Sequence, residues 1–244
     1  MNDYILEARD ISVSFGGIKA VQNVSFNIGR QEVLGLIGPN GSGKSTCVNL
    51  IAGVNTLDSG QILFDGKALS QKDTVEKRSL MGIGRTFQTP KPFGNYTVYD
   101  NIFTAALIKC NMAEAREKTE KTLEFMMLSD MRNMLSSKLP IEKRKWLDLA
   151  RVLVLEPKLI MMDECMAGLN QTEMTESLAL VHKINERGIA ILFIEHVMKA
   201  VLNVCSRVIV LNEGKFLCEG DPQEVLKRPE VVHAYLGGGA NVNY

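Results

Sequence analysis

The chain opens with two stretches, ILEARDISVSF and VQNVSFNIG, in which apolar and polar residues take turns. Successive side chains of a strand point to opposite faces, so this alternation predicts half-buried antiparallel strands. The run EVLGLIG breaks the pattern: it is apolar almost throughout and ends in Gly. That is the signature of a central strand covered on both faces. Two later runs, KLIMMDE and GIAILFIEH, have the same character, and CSRVIVLNEGKFLCEGD predicts a hairpin turning at residues 212–214. Between residues 89 and 156 the period becomes helical. There, AEAREKTEKTLEFMML sets its charges on one side and Leu123, Met126 and Met127 on another, a helix with one solvated face.

Composition narrows the class. At 244 residues the chain can bury one sizeable core, so one nucleotide-sized domain with a smaller lobe is expected over two independent domains. Hydrophobic residues make up 45% and charged residues 23%, which is ordinary for a globular protein. Lys and Arg number 28, as do Asp and Glu, so no broad basic face for nucleic acid is indicated. The start, MNDYILEARD, is acidic and carries no apolar signal-peptide core. Charge or Pro interrupts every apolar stretch well short of the ~20 residues that span a bilayer. A cytoplasmic chain, held at the membrane only through a partner, is the expectation. Cys47, Cys110, Cys165, Cys205 and Cys218 are scattered without a CxxC pair, so buried thiols are expected and zinc is not. The terminal GGGANVNY is expected to fray.

The strongest chemical signal is GPNGSGKST at residues 38–46, directly after EVLGLIG. Strand, glycine loop and helix in that order form a phosphate cradle, because successive backbone N–H groups turn inward with a helix N-terminus behind them. Gly38, Pro39, Asn40, Gly41, Ser42, Gly43 and Thr46 form the cradle. Lys44 would reach the β- and γ-phosphates, and Ser45 would offer its hydroxyl to Mg²⁺. A dinucleotide fingerprint is excluded because Thr46 stands where the third glycine belongs. KLIMMDE supplies the second half: a buried strand whose carboxyl end presents Asp163, for the Mg²⁺ shell, and Glu164, to polarise the attacking water. Loop and acidic pair together predict an α/β P-loop NTPase (RecA-like) core that binds ATP with Mg²⁺. They do not choose among kinases, GTPases and motors.

Three further stretches do choose. VSFGGIKAV, GRTFQ and LFIEH, together with the helix LDLARVL before the acidic strand, resemble the ATPase subunit of ABC transporters along nearly the whole chain. The resemblance implies an antiparallel β subdomain and an inserted α-helical subdomain. Residues 1–88 and 157–244 would form the nucleotide-binding core, and 89–156 the helical subdomain of a single ABC domain. It puts Phe15 under the adenine ring, with Val21 in the same nucleotide-binding stretch. Gln88 falls at the loop that senses Mg²⁺, water and permease, and His196 at the switch histidine beside the γ-phosphate. His182 and His233 lack such context and are expected at the surface.

Two motifs depart from the family pattern. Where the family carries its LSGGQ signature this chain has LPIEK, so Pro140 supplies neither N–H nor hydroxyl, although it suits a helix start. Glu142 would bring a carboxylate towards a polyphosphate, a repulsion of about 1–4 kcal/mol at ~4 Å depending on dielectric. Lys143, Arg144 and Lys145 stand where they can draw that carboxylate away. In the next loop Cys165 and Asn170 replace the usual Pro and Asp, a lineage variant in which Cys165 is expected to pack and not to react.

FGGIKAV, KPFGNYTVYDNI, IEHVMKAV and the ending GDPQEVLKRPEVVHAYLGGG resemble the branched-chain amino-acid type of ABC ATPase. The implied partners are integral-membrane permease subunits, a second ABC ATPase subunit and, indirectly, a solute-binding protein. Intact Walker residues beside a poor signature favour a heterodimer over a homodimer. A soluble ABC ATPase without a permease, and a regulatory subunit that hydrolyses weakly, are the competing readings.

Overall fold

The computed structural model describes residues 3–237, so the terminal stretch expected to fray lies mostly outside the described residues. β1 (Tyr4–Phe15) and β2 (Ile18–Gly29) pair antiparallel around a tight turn at Gly16 and Gly17. With β4 (Ser59–Phe64) and β5 (Lys67–Ala68) they make a four-stranded sheet in the order β2-β1-β4-β5. Between them in sequence come β3 (Val33–Ile37) and α1 (Lys44–Ala52).

β3 belongs to a second sheet of six strands, ordered β10-β9-β3-β8-β7-β6. Its other members are β6 (Ile83–Arg85), β7 (Leu159–Asp163), β8 (Ala190–Ile194), β9 (Arg207–Asn212) and β10 (Lys215–Gly220). β6, β7, β8, β3 and β9 run parallel, and β10 turns back as the expected hairpin. Glu213 and Gly214 carry its turn with φ of 48° and 75°, as a two-residue turn matching the strand twist requires.

The apolar runs are fully buried because each strand feeds two cores. Leu34, Leu36, Leu159, Met161, Leu192 and Ile194 face α1 and the antiparallel sheet. Val33, Ile37, Ile160, Met162, Ile191 and Phe193 face the helices on the other side. A strand covered on both faces has no reason to alternate in hydrophobicity, only in direction.

The helical region holds α3 (Val98–Ala106), α4 (Met112–Phe125), two short 3-10 turns and α5 (Ile141–Leu153). Thr97 and Asn111 cap the first two through capping boxes with Asp100 and Glu114. Leu123 and Met126 are buried as expected; Met127 is not. The helix stops at Phe125 and Met127 takes φ 53°, so a 3.6-residue period carried past its end turns this side chain out to 49% exposure. A helix over Val75–Met81, α2, lies in a stretch that carried no helical expectation. The chain ends through α6 (Gln171–Glu186), α7 (Met198–Val204), α8 (Pro222–Val225) and α9 (Pro229–Gly237). Among the described residues no helix is long and apolar enough to cross a membrane.

Candidate ATP site

Four neighbouring parallel strands each end on a functional segment. β3 runs into the glycine loop, β8 into Glu195 and His196, β7 into Asp163 and Glu164, and β6 into Arg85, Thr86, Phe87 and Gln88. Carboxyl ends of parallel strands are where such sheets bind ligands. Asp163 pairs with Ile194 in register, and the Glu164 N–H donates to the Ile194 carbonyl at 2.9 Å. The acidic pair and the histidine are therefore fixed side by side by sheet hydrogen bonds.

The loop's shape depends on two glycines. Gly38 has φ 147°, and a Cβ there would lie 2.1 Å from the Leu211 carbonyl oxygen. Gly43, which begins α1, has φ 100° and would press a Cβ to 2.6 Å from the Ala20 oxygen. Only a residue without Cβ lets the loop close this tightly. Lys44 is 5% exposed and its Nζ donates to the carbonyls of Gly38 at 2.8 Å and Pro39 at 3.0 Å. Burial pulls the Lys44 ammonium below its ordinary pKa, with the charges of Glu164 and Asp163 opposing that shift. A cationic Nζ curled into a ring of inward-facing backbone is the geometry of a triphosphate cradle.

Beside the loop, Glu164 is held from two sides. Its Oε1 lies 3.0 Å from His196 Nε2, and Gln88 Nε2 donates to its Oε2. Glu164 itself has φ 49°, a left-handed conformation that costs a carboxylic residue about 1 kcal/mol and persists where surroundings fix it. A cleft opens between the loop and the Glu164–His196 pair, with Asn40, Ser45 and Thr46 on one wall and Glu164 and His196 on the other. Gln88 and His196, assigned chemistry by resemblance, thus meet Glu164, assigned it from the acidic pair after the strand, at one point.

Asp163 is more enclosed, and burial raises its carboxyl above the ordinary carboxylate range, opposed by Arg85. Arg85 Nη2 reaches Asp163 Oδ2 at 3.3 Å while its Nη1 donates to Asn49 Oδ1 at 2.6 Å. Sequence reasoning passed over Arg85; the signal was a cation closing an otherwise small, apolar edge strand. It also passed over Glu195, which is 1% exposed, accepts from the Met166 N–H at 2.7 Å, and is lifted in pKa by its burial.

Phe15 and Val21 stand apart from this cluster. Phe15 sits 47% exposed at the tip of the first hairpin, an accessible aromatic face, whereas Val21 is 1% exposed and packs towards Gly43. Neither lines the cleft. His182 and His233 are exposed, as expected. Cys165 is partly buried, and desolvation pushes its thiol well above its ordinary pKa, which suits packing and not reactivity. Cys47 and Cys205 are pushed up to about 12 by burial, and Asn170 caps α6 by accepting from the Glu173 N–H at 3.0 Å.

Residues 21–167, more than half the chain, match the protein family described as ABC transporter. The chain belongs to that family. It is an ABC ATPase, and domains of this family bind adenine nucleotide. It is 31% identical over 235 residues to the lipopolysaccharide export system ATP-binding protein LptB of Haemophilus influenzae, covering 96% of this chain and 97% of that one. It is 32% identical over 254 residues to the high-affinity branched-chain amino acid transport ATP-binding protein BraF of Pseudomonas aeruginosa, covering 97% and 99%. LivG of Escherichia coli, of the same description, is 33% identical over 254 residues, with 97% and 99% covered. Among solved structures, the ADP conformation of an ATP-binding cassette of an ABC transporter superposes with a TM-score of 0.89 at 32% identity, covering 96% of this chain and 99% of that one. These neighbours carry the same P-loop cassette fold.

The stretch expected at the ABC signature, Leu139 to Lys143, leads into the start of α5. Pro140 is its N-cap and no side chain caps the helix there. Glu142 does not project into solvent: it is 6% exposed, with Oε1 3.4 Å from Lys143 Nζ. Burial raises its carboxyl above the ordinary range, against the pull of Lys143. Lys143 in turn lies 3.3 Å above the Trp146 ring and 3.8 Å from Glu176. Lys143 meets the carboxylate, as the basic cluster led one to expect, and both are folded against the helical lobe.

The residues fit Mg²⁺ in the way nucleotide sites do. Ser45, Gln88 and Asp163 offer oxygen donors, the hard ligands this cation takes, and the described residues hold no group of three or more His, Cys, Asp or Glu fit for an all-protein cage. Magnesium held by one carboxylate, a hydroxyl and substrate phosphates needs no such cage.

Proposed function

We propose that this ABC ATPase is the motor subunit of a branched-chain amino-acid type importer, working as one half of a heterodimer on a separate permease. The observation that carries the catalytic part is the convergence of Gln88 and His196 on Glu164 beside the Lys44 loop. Lys44 and the loop N–H groups bind the β- and γ-phosphates. Ser45, Asp163 and Gln88 would hold Mg²⁺, partly through water, and the bound cation would supply neutralisation of charge developing on the phosphate oxygens. Glu164 accepts a hydrogen bond from the attacking water, and His196, within reach of the same carboxylate, fixes its orientation. Phe15 provides the aromatic face for the adenine.

A groove lined mainly by apolar residues supports docking of a permease: it runs between the core and the helical lobe, past Val54, Val75, Ile83, Phe87, Leu155 and Pro157. Phe87 is 51% exposed there and lies next to Gln88, so a helix seated in the groove presses on the segment that touches Glu164. Such coupling supports a peripheral position on the cytoplasmic face of the membrane, held through the permease. BraF and LivG, proteins of branched-chain amino acid transport, support the amino-acid reading; LptB, of a lipopolysaccharide export system at similar identity, supports export as the competing direction.

The heterodimer reading rests on α5. A signature lacking hydroxyl and N–H at Pro140, with Glu142 buried against Lys143, is a poor donor to a γ-phosphate across a dimer. Paired with a second ATPase that carries a good signature, this chain's loop and Glu164 work fully while the opposite site is weak. The test is turnover of the chain alone, then mixed with candidate partner ATPases and permease, and repeated with Glu164→Gln. Stimulation by a partner, abolished by Glu164→Gln with ATP-bound dimers accumulating, is expected. Full turnover by the purified single chain would remove the heterodimer, and normal turnover by Glu164→Gln would remove the catalytic assignment.

A further inference from the structure

The segment 165–167, immediately after Glu164, is gripped by two charged side chains from two other elements. From α5, two residues beyond the signature position, Lys145 Nζ donates to the Cys165 carbonyl at 3.0 Å and to the Ala167 carbonyl. From the end of β8, Glu195 Oε1 accepts from the Met166 N–H at 2.7 Å, and its Oε2 accepts from the His196 N–H at 3.3 Å. Three successive residues therefore have their outward-facing backbone groups satisfied by one cation and one anion. Met166 is 2% exposed and Glu195 1%, so the bond between them forms away from bulk water, where a lost partner is not replaced, whereas the Lys145 bonds lie nearer the surface, the Ala167 end exposed.

The two grips lead to opposite ends of the site. Glu195 is joined covalently to His196, which touches Glu164 Oε1. Lys145 sits on the helix whose first turn is the signature position, with Trp146 beside it donating to Ser177 of α6 at 3.0 Å. Of the two residues that flank the gripped segment, Glu164 holds a left-handed backbone at φ 49°, while Gly168 on the far side, at φ 76°, has no Cβ to strain. Any slackening of 165–167 is absorbed first where the backbone is strained.

We propose that Lys145 and Glu195 are positioning residues, a clamp that sets the carboxylate of Glu164 and links its placement to the helix bearing the signature. The inference rests on the reading of Glu164 as the residue that orients the attacking water. Neither clamp residue contacts the nucleotide cleft. Their loss should therefore change the rate of the chemical step and leave nucleotide affinity in place, a separation that general loosening of the fold does not produce. Displacing a catalytic group by about 1 Å from a remote site costs up to roughly 100-fold in rate.

The experiment is single-turnover hydrolysis with protein in excess over Mg-ATP, alongside equilibrium binding of a fluorescent ATP analogue and thermal melting. Lys145→Met is expected to slow hydrolysis by about 10- to 100-fold while the Kd stays within about twofold. Lys145→Arg, whose guanidinium can still donate to both carbonyls, is expected to recover most of the rate. The double variant Lys145→Met with Glu195→Gln should fall no further than the slower single, because both act on one segment. An unchanged rate in Lys145→Met overturns the clamp, as does a parallel loss of rate, affinity and melting temperature without recovery by Arg. If Lys145→Met does not fold, Glu195→Gln is judged by the same separation of rate from affinity. Glu164→Gln in the same assay keeps the two ideas apart: if it hydrolyses normally the role of Glu164 fails, and if it is silent while Lys145→Met is normal only the clamp fails.

Discussion

Arg85→Met is the substitution that most directly probes the electrostatics of the site. Arg85 and Asp163 keep 17% and 11% of their side chains exposed, and the guanidinium is also tied to Asn49. Methionine keeps the aliphatic stem and removes the charge, leaving Asp163 enclosed beside Glu164 with only Lys44 opposing. Breaking one side of a largely buried pair costs about 3 kcal/mol at the low end of the usual range, and losing the guanidinium over the Phe87 ring adds about 0.5 kcal/mol. For a chain of this length that corresponds to a fall in Tm of about 7–14 °C. The sign with pH follows from Asp163, whose folded-state carboxyl already lies above its ordinary value through burial, with Arg85 holding it down. Removing Arg85 lifts it further, and a carboxylate raised in the folded state stabilises in acid and loses that contribution as pH rises through its folded pKa. The deficit of the variant should therefore be small below the carboxylate range and full at neutral pH. Thermal melting across pH 4–8 measures it, and adding Asp163→Asn should recover at least about half the loss, because no unpaired charge is then left. A Tm within about 2 °C of the parent at every pH, or no recovery in the double variant, would refute the reasoning.

Three other outcomes follow from packing and charge. Gly43→Ala, whose Cβ would meet the Ala20 oxygen at 2.6 Å, should cost about 2–3 kcal/mol and weaken nucleotide binding; Gly41→Ala, at φ 78° with nothing within 4 Å, should cost only about 1 kcal/mol, both read by melting and nucleotide titration. Asp65 is held at about 2 by hydrogen bonds from Lys158 and Arg30 against an ordinary 3.8, so its stabilisation is present above that value and lost as pH falls towards 2. With the carboxylate 30% exposed, screening trims this to about 1 kcal/mol, and urea unfolding of Asp65→Asn should show a deficit at pH 7 that shrinks in high salt and vanishes in acid. Phe193→Ala, in the centre of β8 with no exposed surface, should lose about 3–5 kcal/mol by urea unfolding.

Much of the site was legible one residue at a time. GPNGSGKST after an apolar run could be only a phosphate loop, because its glycines and lysine answer a requirement that is local in sequence. The same holds for the two-faced burial of β3, β7 and β8, since a strand with helices or sheet on both sides must be apolar at every position. The helix period likewise placed Leu123 and Met126. Where it failed, at Met127, the cause was an end that has no strong stop signal: neither Gly nor Pro follows Phe125.

What sequence alone did not decide is which charges meet. Strand order is not written in any one segment, and only the order β6-β7-β8-β3 brings Gln88, Glu164, His196 and Lys44 to one edge. Arg85 reads as an ordinary polar residue until β6 is laid beside β7, and Glu195 as a solvated neighbour of His196 until the loop after β7 folds over it. Glu142 looked like a carboxylate aimed at phosphate, yet the packing of α5 buries it against Lys143. Hydrophobic periodicity and loop chemistry are properties of neighbours along the chain, whereas Arg85 with Asp163, Gln88 with Glu164, Met166 with Glu195 and Glu164 with His196 are residues 29 to 78 positions apart, brought together by the register of the central sheet.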